Sequence, residues 1–177
     1  MKSTRKLVYC AAFAALCCLT TYLLAFPFPG GVGYFNVGDT IVLLAGWCLG
    51  PWLGGVAAGV GSALADMMGG YMLYSPATLV IKGGVAVIAY FLWRLIRLIL
   101  KKEKLDFLFR ILAAVVAELF MVLGYFLYET LLYGFAGAAG SVVGNLMQGL
   151  VGGVGGVVLV LLLRSIPFIK KTFPKLY

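Results

Sequence analysis

Residues 108–133, LFRILAAVVAELFMVLGYFLYETLLY, decide the fold class. A helix needs about 20 predominantly apolar residues to cross a bilayer, and this run exceeds that with only Arg110, Glu118 and Glu129 charged. Working outward, 141–163 and 77–100 are comparable in length and apolarity, and 7–26 forms another such run, ended by Pro27-Phe28-Pro29-Gly30-Gly31. Its basic front (Lys2, Arg5, Lys6) suggests a signal peptide. The apolar run is nevertheless long for one and no small-residue cleavage site follows, so it is read as a retained span. Between these lies 39–50, which is short, separated by Gly50-Pro51 from 52–68.

The whole composition agrees. Of the 177 residues 63% are apolar and 11% charged, and the mean hydropathy is +1.07. A soluble domain averages about 45–50% apolar and about 25% charged. The reading is an all-α integral membrane protein, one domain over 1–177. It is a compact six-transmembrane-helix bundle with helices at approximately 7–26, 36–50, 52–69, 77–100, 108–133 and 141–163. A re-entrant hairpin over 36–69 is the alternative; it would remove two crossings together and leave the sides of the other loops unchanged.

Charge sets the orientation. With six spans, thirteen of the fourteen Lys and Arg fall on one side, around 2–6, 94–110 and 164–175, and the opposite connections 27–38, 69–76 and 134–140 carry none. By the positive-inside rule the N- and C-termini are cytoplasmic, in the plasma membrane. The basic clusters are read as topology signals that meet anionic lipid headgroups, with no nucleic acid partner.

Absences narrow the chemistry. With no histidine, imidazole general bases, Ser-His-Asp triads and His-ligated zinc are excluded. Cys10, Cys17, Cys18 and Cys48 lie in apolar runs without CxxC spacing, and no metal site is expected. The chain has no phosphate-loop motif for ATP. An enzyme is therefore not expected. The 24 glycines are assigned to close helix packing, as in Gly55, Gly59 and Ser62 leading to Asp66, and in Gly149, Gly152 and Gly156 beside Asn145 and Gln148.

Ionisable groups inside a span mark function more often than not. Lys82 is the one basic residue away from the basic side, and Asp39, Asp66, Glu118 and Glu129 are the acids of the membrane helices. Steps of 7 and 11 residues return Glu118, Tyr125 and Glu129 to one helical face within about 20°. Asn145 and Gln148 come from the sixth helix, and Asn36, Tyr34, Tyr71 and Tyr74 from the outer loops. Together they predict a polar, aromatic pocket in the outer half of the bundle, suited to a small neutral or zwitterionic ring compound. The structural alternative pairs Lys82 with Asp66 or Glu129 to neutralise a buried charge.

The stretches Tyr34-Phe35-Asn36-Val37-Gly38-Asp39, Leu49-Gly50-Pro51-Trp52-Leu53-Gly54-Gly55, Ala65-Asp66, Ser75-Pro76-Ala77-Thr78 and Lys82-Gly83 resemble the substrate-binding S component of energy-coupling factor (ECF) vitamin transporters. The resemblance covers nearly the whole chain and is greatest to members assigned to pyridoxine or hydroxymethylpyrimidine, with riboflavin, thiamine, pantothenate and folate also open. It implies capture of a vitamin or vitamin precursor from outside. It also implies docking on a transmembrane coupling subunit and reorientation in the membrane, with ATP used only by two partner ATPases. An alanine-xxx-alanine pair forms the family's docking surface, and Ala11 and Ala15 match it. The first outer loop, 27–38, is then the gate. A non-catalytic structural or assembly subunit without its own ligand is the competing reading.

Overall fold

The computed structural model describes residues 3–27 and 34–176. Helix α1 (Ser3–Leu23) leads into a two-stranded antiparallel hairpin, β1 (Ala25–Pro27) against β2 (Tyr34–Asn36), with Ala25 opposite Asn36. Residues 28–33, which form most of the expected gate, lie outside the described residues. Then come α2 (Asp39–Leu49), α3 (Pro51–Met68), α4 (Ser75–Leu100), α5 (Asp106–Arg164) and the short α6 (Pro167–Thr172).

Helix α5 is two helices joined at one residue. Gly134, at φ 75° and ψ 171°, departs from helical geometry and separates arms 106–133 and 135–164. Ser141 bonds Glu129, Gly149 lies on Glu118, Gly153 on Ala114, and Arg164 bonds Asp106, so the arms run antiparallel. The connection expected over 134–140 thus shrinks to Gly134, because a left-handed φ without a Cβ reverses the chain in one step. Counting the arms separately and leaving aside the terminal α6 gives six helices, five long and α2 short. Segments 4–23, 75–100 and 103–164 are long and apolar enough to cross a membrane.

The short α2 is the hub. Its 11 residues span about 17 Å, too little to cross alone. Nine are buried, Val42 through Leu49 among them, and it meets α1, α3, α4, α5 and the C-terminal turn. A helix apolar all round belongs inside a bundle. It begins at Asp39, three residues after the expected start, because Asn36 is paired in the hairpin. Gly50, at φ 85°, turns the chain, and Pro51 opens α3 where its missing N–H costs nothing.

Small residues let the backbones touch. A Cβ at Gly46 would stand 2.4 Å from the Ala86 carbonyl of α4, and one at Gly61 2.3 Å from the Ala14 carbonyl of α1. Neither obstacle is a side chain that can swing away. Gly46→Val is therefore expected to lower stability by about 1–3 kcal/mol through overpacking. Gly140→Ala, where a Cβ meets nothing within 4 Å, is expected to leave the melting temperature unchanged or slightly raised. Thermal unfolding of the two variants in one detergent checks the contrast.

Candidate functional site

The site grows from an acid at a helix start. Asp39 is the first residue of α2, where the positive end of the helix dipole favours a carboxylate. Lys82, two turns into α4, reaches it with Nζ 2.6 Å from Oδ1 and 2.7 Å from Oδ2. Both side chains are buried (0% and 3% exposed), so each charge depends on the other. The acid that pairs with Lys82 is Asp39, and neither Asp66 nor Glu129 takes that place. The reason is geometric. Gly152 on the second arm of α5 lets Asp39 sit deep, since a Cβ there would lie 2.4 Å from the Asp39 Cβ.

The pair is extended on both sides. Gln148 donates through Nε2 to Asp39 Oδ2 at 2.7 Å, and its Oε1 accepts from the Asn36 backbone N–H (3.1 Å) and Nδ2 (3.0 Å). Asn36 Oδ1 in turn accepts the Gly38 N–H at 2.8 Å. Gly38 packs on Thr21 of α1 so closely that a Cβ would be 2.1 Å from its hydroxyl. Lys82 also donates to Met121 Sδ (2.8 Å) and stands 5.6 Å from the Tyr125 ring centre. One hydrogen-bonded chain thus joins the hairpin, α2, α4 and both arms of α5.

A second group lies nearer the hairpin of the α5 arms. Glu129 accepts from Tyr74 OH (3.2 Å) and from Ser141 Oγ, and Thr78 Oγ1 and Tyr125 OH share a 2.9 Å bond. Tyr74 stacks edge-on with Tyr71 and Tyr128. Asp66 is buried at the end of α3, where its carbonyl accepts the Tyr71 N–H at 2.8 Å. Asn145 is half-buried on the second arm.

Glu118 stands apart chemically. It is buried (5% exposed) against Gly149, within electrostatic range of Asp39 and Lys82, yet neither carboxylate oxygen has a hydrogen-bond partner among the described residues. An unsatisfied buried carboxylate is costly, which makes this the open acceptor beside an otherwise closed network. Among the described residues no group of three or more Cys, Asp or Glu gathers to hold a metal.

Sequence reasoning passes over Met121, Thr78 and Ser141. The phase that selects Glu118, Tyr125 and Glu129 also contains Met121, three residues after Glu118 and four before Tyr125, and Thr78 precedes Lys82 by one turn. An apolar side chain gives no reason to count Met121 as a polar contact. Ser141 carries no signal, since its partner comes from the opposite arm.

With the geometry established, comparison with known proteins places the molecule. The solved structure of the S component of a bacterial ECF transporter superposes with a TM-score of 0.70 at 19% identity, covering 93% of this chain and 98% of that one. The fold is that of an S component. The model of the ECF-type riboflavin transporter S component family matches residues 1–165, and the chain belongs to that family. An uncharacterized protein in the gap 3'region of Pyrococcus woesei is 37% identical over 134 residues, 76% of this chain and 84% of that one. The thiamine precursor transporter HmpT of Lactococcus lactis subsp. cremoris is 28% identical over 152 residues, 85% of this chain and 82% of that one. The protein is a membrane component of a transport system and not an enzyme.

The buried pair makes a checkable demand. Removing one partner strands a charge, so Lys82→Met is expected to cost about 3–5 kcal/mol. Lys82→Met combined with Asp39→Asn is expected to be more stable than Lys82→Met alone. A double-mutant cycle read by thermal unfolding measures the coupling.

Proposed function

We propose that this protein captures a small vitamin or vitamin precursor on the outer side of the cell membrane and delivers it to an ATP-driven ECF complex. In this reading both termini are cytoplasmic, because among the described residues the Lys and Arg other than Lys82 gather toward the end of the bundle where Tyr9 meets Phe173. The ligand enters at the opposite end, beneath the hairpin, and contacts residues among Asn36, Asp39, Asp66, Tyr71, Tyr74, Lys82, Glu118, Tyr125, Glu129, Asn145 and Gln148. Ala11 and Ala15, both exposed on α1, form the surface for the transmembrane coupling subunit. ATP is used by two partner ATPases, and this chain needs no cofactor.

The observation that carries the ligand reading is Glu118. Lys82 and Gln148 are committed to Asp39, and the Glu118 carboxylate beside them is a buried acceptor that no described group meets. It calls for a ligand that presents N–H or O–H donors. The exocyclic amine of hydroxymethylpyrimidine meets that need, and the thiamine precursor relative supports the same choice. Riboflavin, named by the matched family, is the competing ligand. Its pyrimidinedione edge sets one N–H between two carbonyls, so its ribityl hydroxyls would have to meet the carboxylate instead.

The closed Lys82–Asp39–Gln148–Asn36 chain favours a second reading, a structural subunit without a ligand. One experiment separates the readings. Mass spectrometry of small molecules released from the purified protein, followed by a thermal-shift panel of hydroxymethylpyrimidine, riboflavin, pyridoxine, thiamine, pantothenate and folate, is expected to return one tight ligand without ATP. Glu118→Gln, which replaces one acceptor oxygen by a donor, is expected to weaken it by about ten-fold or more. No release and no shift across the panel would establish the structural reading instead.

A further inference from the structure

A cavity of about 380 Å3 opens at the basic end of the bundle, far along α4 from Lys82. It is lined by Trp93, Arg94, Arg97, Leu98, Lys101, Glu103 and Pro174. We propose that it binds the phosphate group of an anionic phospholipid. This inference rests on none of the ligand reading above.

Three separate parts of the chain build the cavity: the last two turns of α4, the link to α5, and the C-terminal turn that carries Pro174. A solvated stripe of lysines would need no such assembly. The floor is fixed. Trp93 Nε1 donates to Asp106 Oδ1 at 2.8 Å, and the Trp93 ring lies 4.0 Å from the buried Arg110 guanidinium. Arg110 Nη2 donates to the Leu176 carbonyl at 2.6 Å, which holds the C-terminal turn against the helices.

The two arginines are tethered to aromatic neighbours. Arg97 lies over Trp93 at 5.6 Å, and Arg94 Nη1 donates to Tyr90 OH at 3.3 Å. Lys101 sits in a left-handed conformation, φ 48°, that a lysine rarely adopts. Arg94 and Arg97, three residues apart, share a face of α4, and Lys101 lines the same cavity from just beyond the helix end.

Charge balance favours an anion. The end of α4 contributes about half a negative charge, and Glu103 contributes one. Glu103 is exposed and meets Arg97 only at 3.6 Å, so it neutralises weakly. Three cations leave the cavity positive. A phosphate could come from a lipid or from solution. Leu98 lines the cavity, and exposed Leu95 and Ile99 lie beside it on the adjoining surface of α4, apolar surface that suits an acyl chain next to a headgroup and favours the lipid.

Native mass spectrometry of the full chain, titrated in mixed micelles with phosphatidylglycerol against phosphatidylcholine, tests this. The wild-type protein is expected to retain one phosphatidylglycerol preferentially. Arg94→Gln and Lys101→Gln, both at exposed side chains, are each expected to reduce the preference about five-fold, and together to abolish it. Lys104→Gln with Lys170→Gln, outside the cavity, keeps it. An unchanged preference in the Arg94→Gln/Lys101→Gln protein, or none in the wild type, overturns the site. Stabilisation by inorganic phosphate alone through the same two cations, without phosphatidylglycerol retention, overturns the lipid as its source. Thermal unfolding confirms that each variant is folded.

Discussion

The ion pair between Lys82 and Asp39 is the constraint around which the half of the molecule nearer the β-hairpin is arranged. Two opposite charges excluded from water survive only with close geometry and further hydrogen bonds. The fold supplies both. The N-terminus of α2 points its dipole at Asp39, Gln148 donates to the same carboxylate, and Met121 caps the ammonium. Meeting these demands fixes the depth of α2, the rotation of both arms of α5 and the position of the hairpin that carries Asn36. A short helix that cannot cross a membrane is thereby tied into a bundle that can.

The other end uses the same device differently. Arg110, fully buried, is held by Asp106, by the Leu176 carbonyl and by the faces of Trp93 and Trp47. Arg164 reaches the same carboxylate and so closes the base of the two α5 arms. Between these polar ends the helices touch through glycine and alanine, where backbone contact replaces side-chain interdigitation.

Much of the molecule is legible in the amino-acid sequence. The long apolar runs, the break at Gly50-Pro51 and the phase of Glu118, Tyr125 and Glu129 follow from local rules of length and periodicity, whereas the first helix, expected over 7–26, ends at Leu23 and Ala25–Pro27 pairs as a strand. The resemblance carried by 34–39, 49–55 and 75–83 agrees with the family to which the chain belongs. Three features are not legible there. Asp66 and Glu129 are as plausible as Asp39 for pairing with Lys82, because spacing gives depth along a helix but not azimuth between helices. Arg110 reads as a loop cation, although its surroundings are two tryptophans and an acid. The connection expected over 134–140 collapses into Gly134, since a single left-handed glycine leaves no mark that distinguishes it from the glycines around it.

The sequence by itself determined what the chain is made of: apolar helices, basic ends gathered on one side, and five ionisable groups left inside. These depend on composition and on spacing along one strand of backbone. Only the tertiary structure decided which charges meet, which carboxylate stays without a partner, and where a cavity opens between distant segments. Those outcomes depend on how helices rotate and approach one another. That is set by close contacts with little tolerance, such as Gly152 against Asp39 and Gly46 against Ala86, made between residues far apart in the chain.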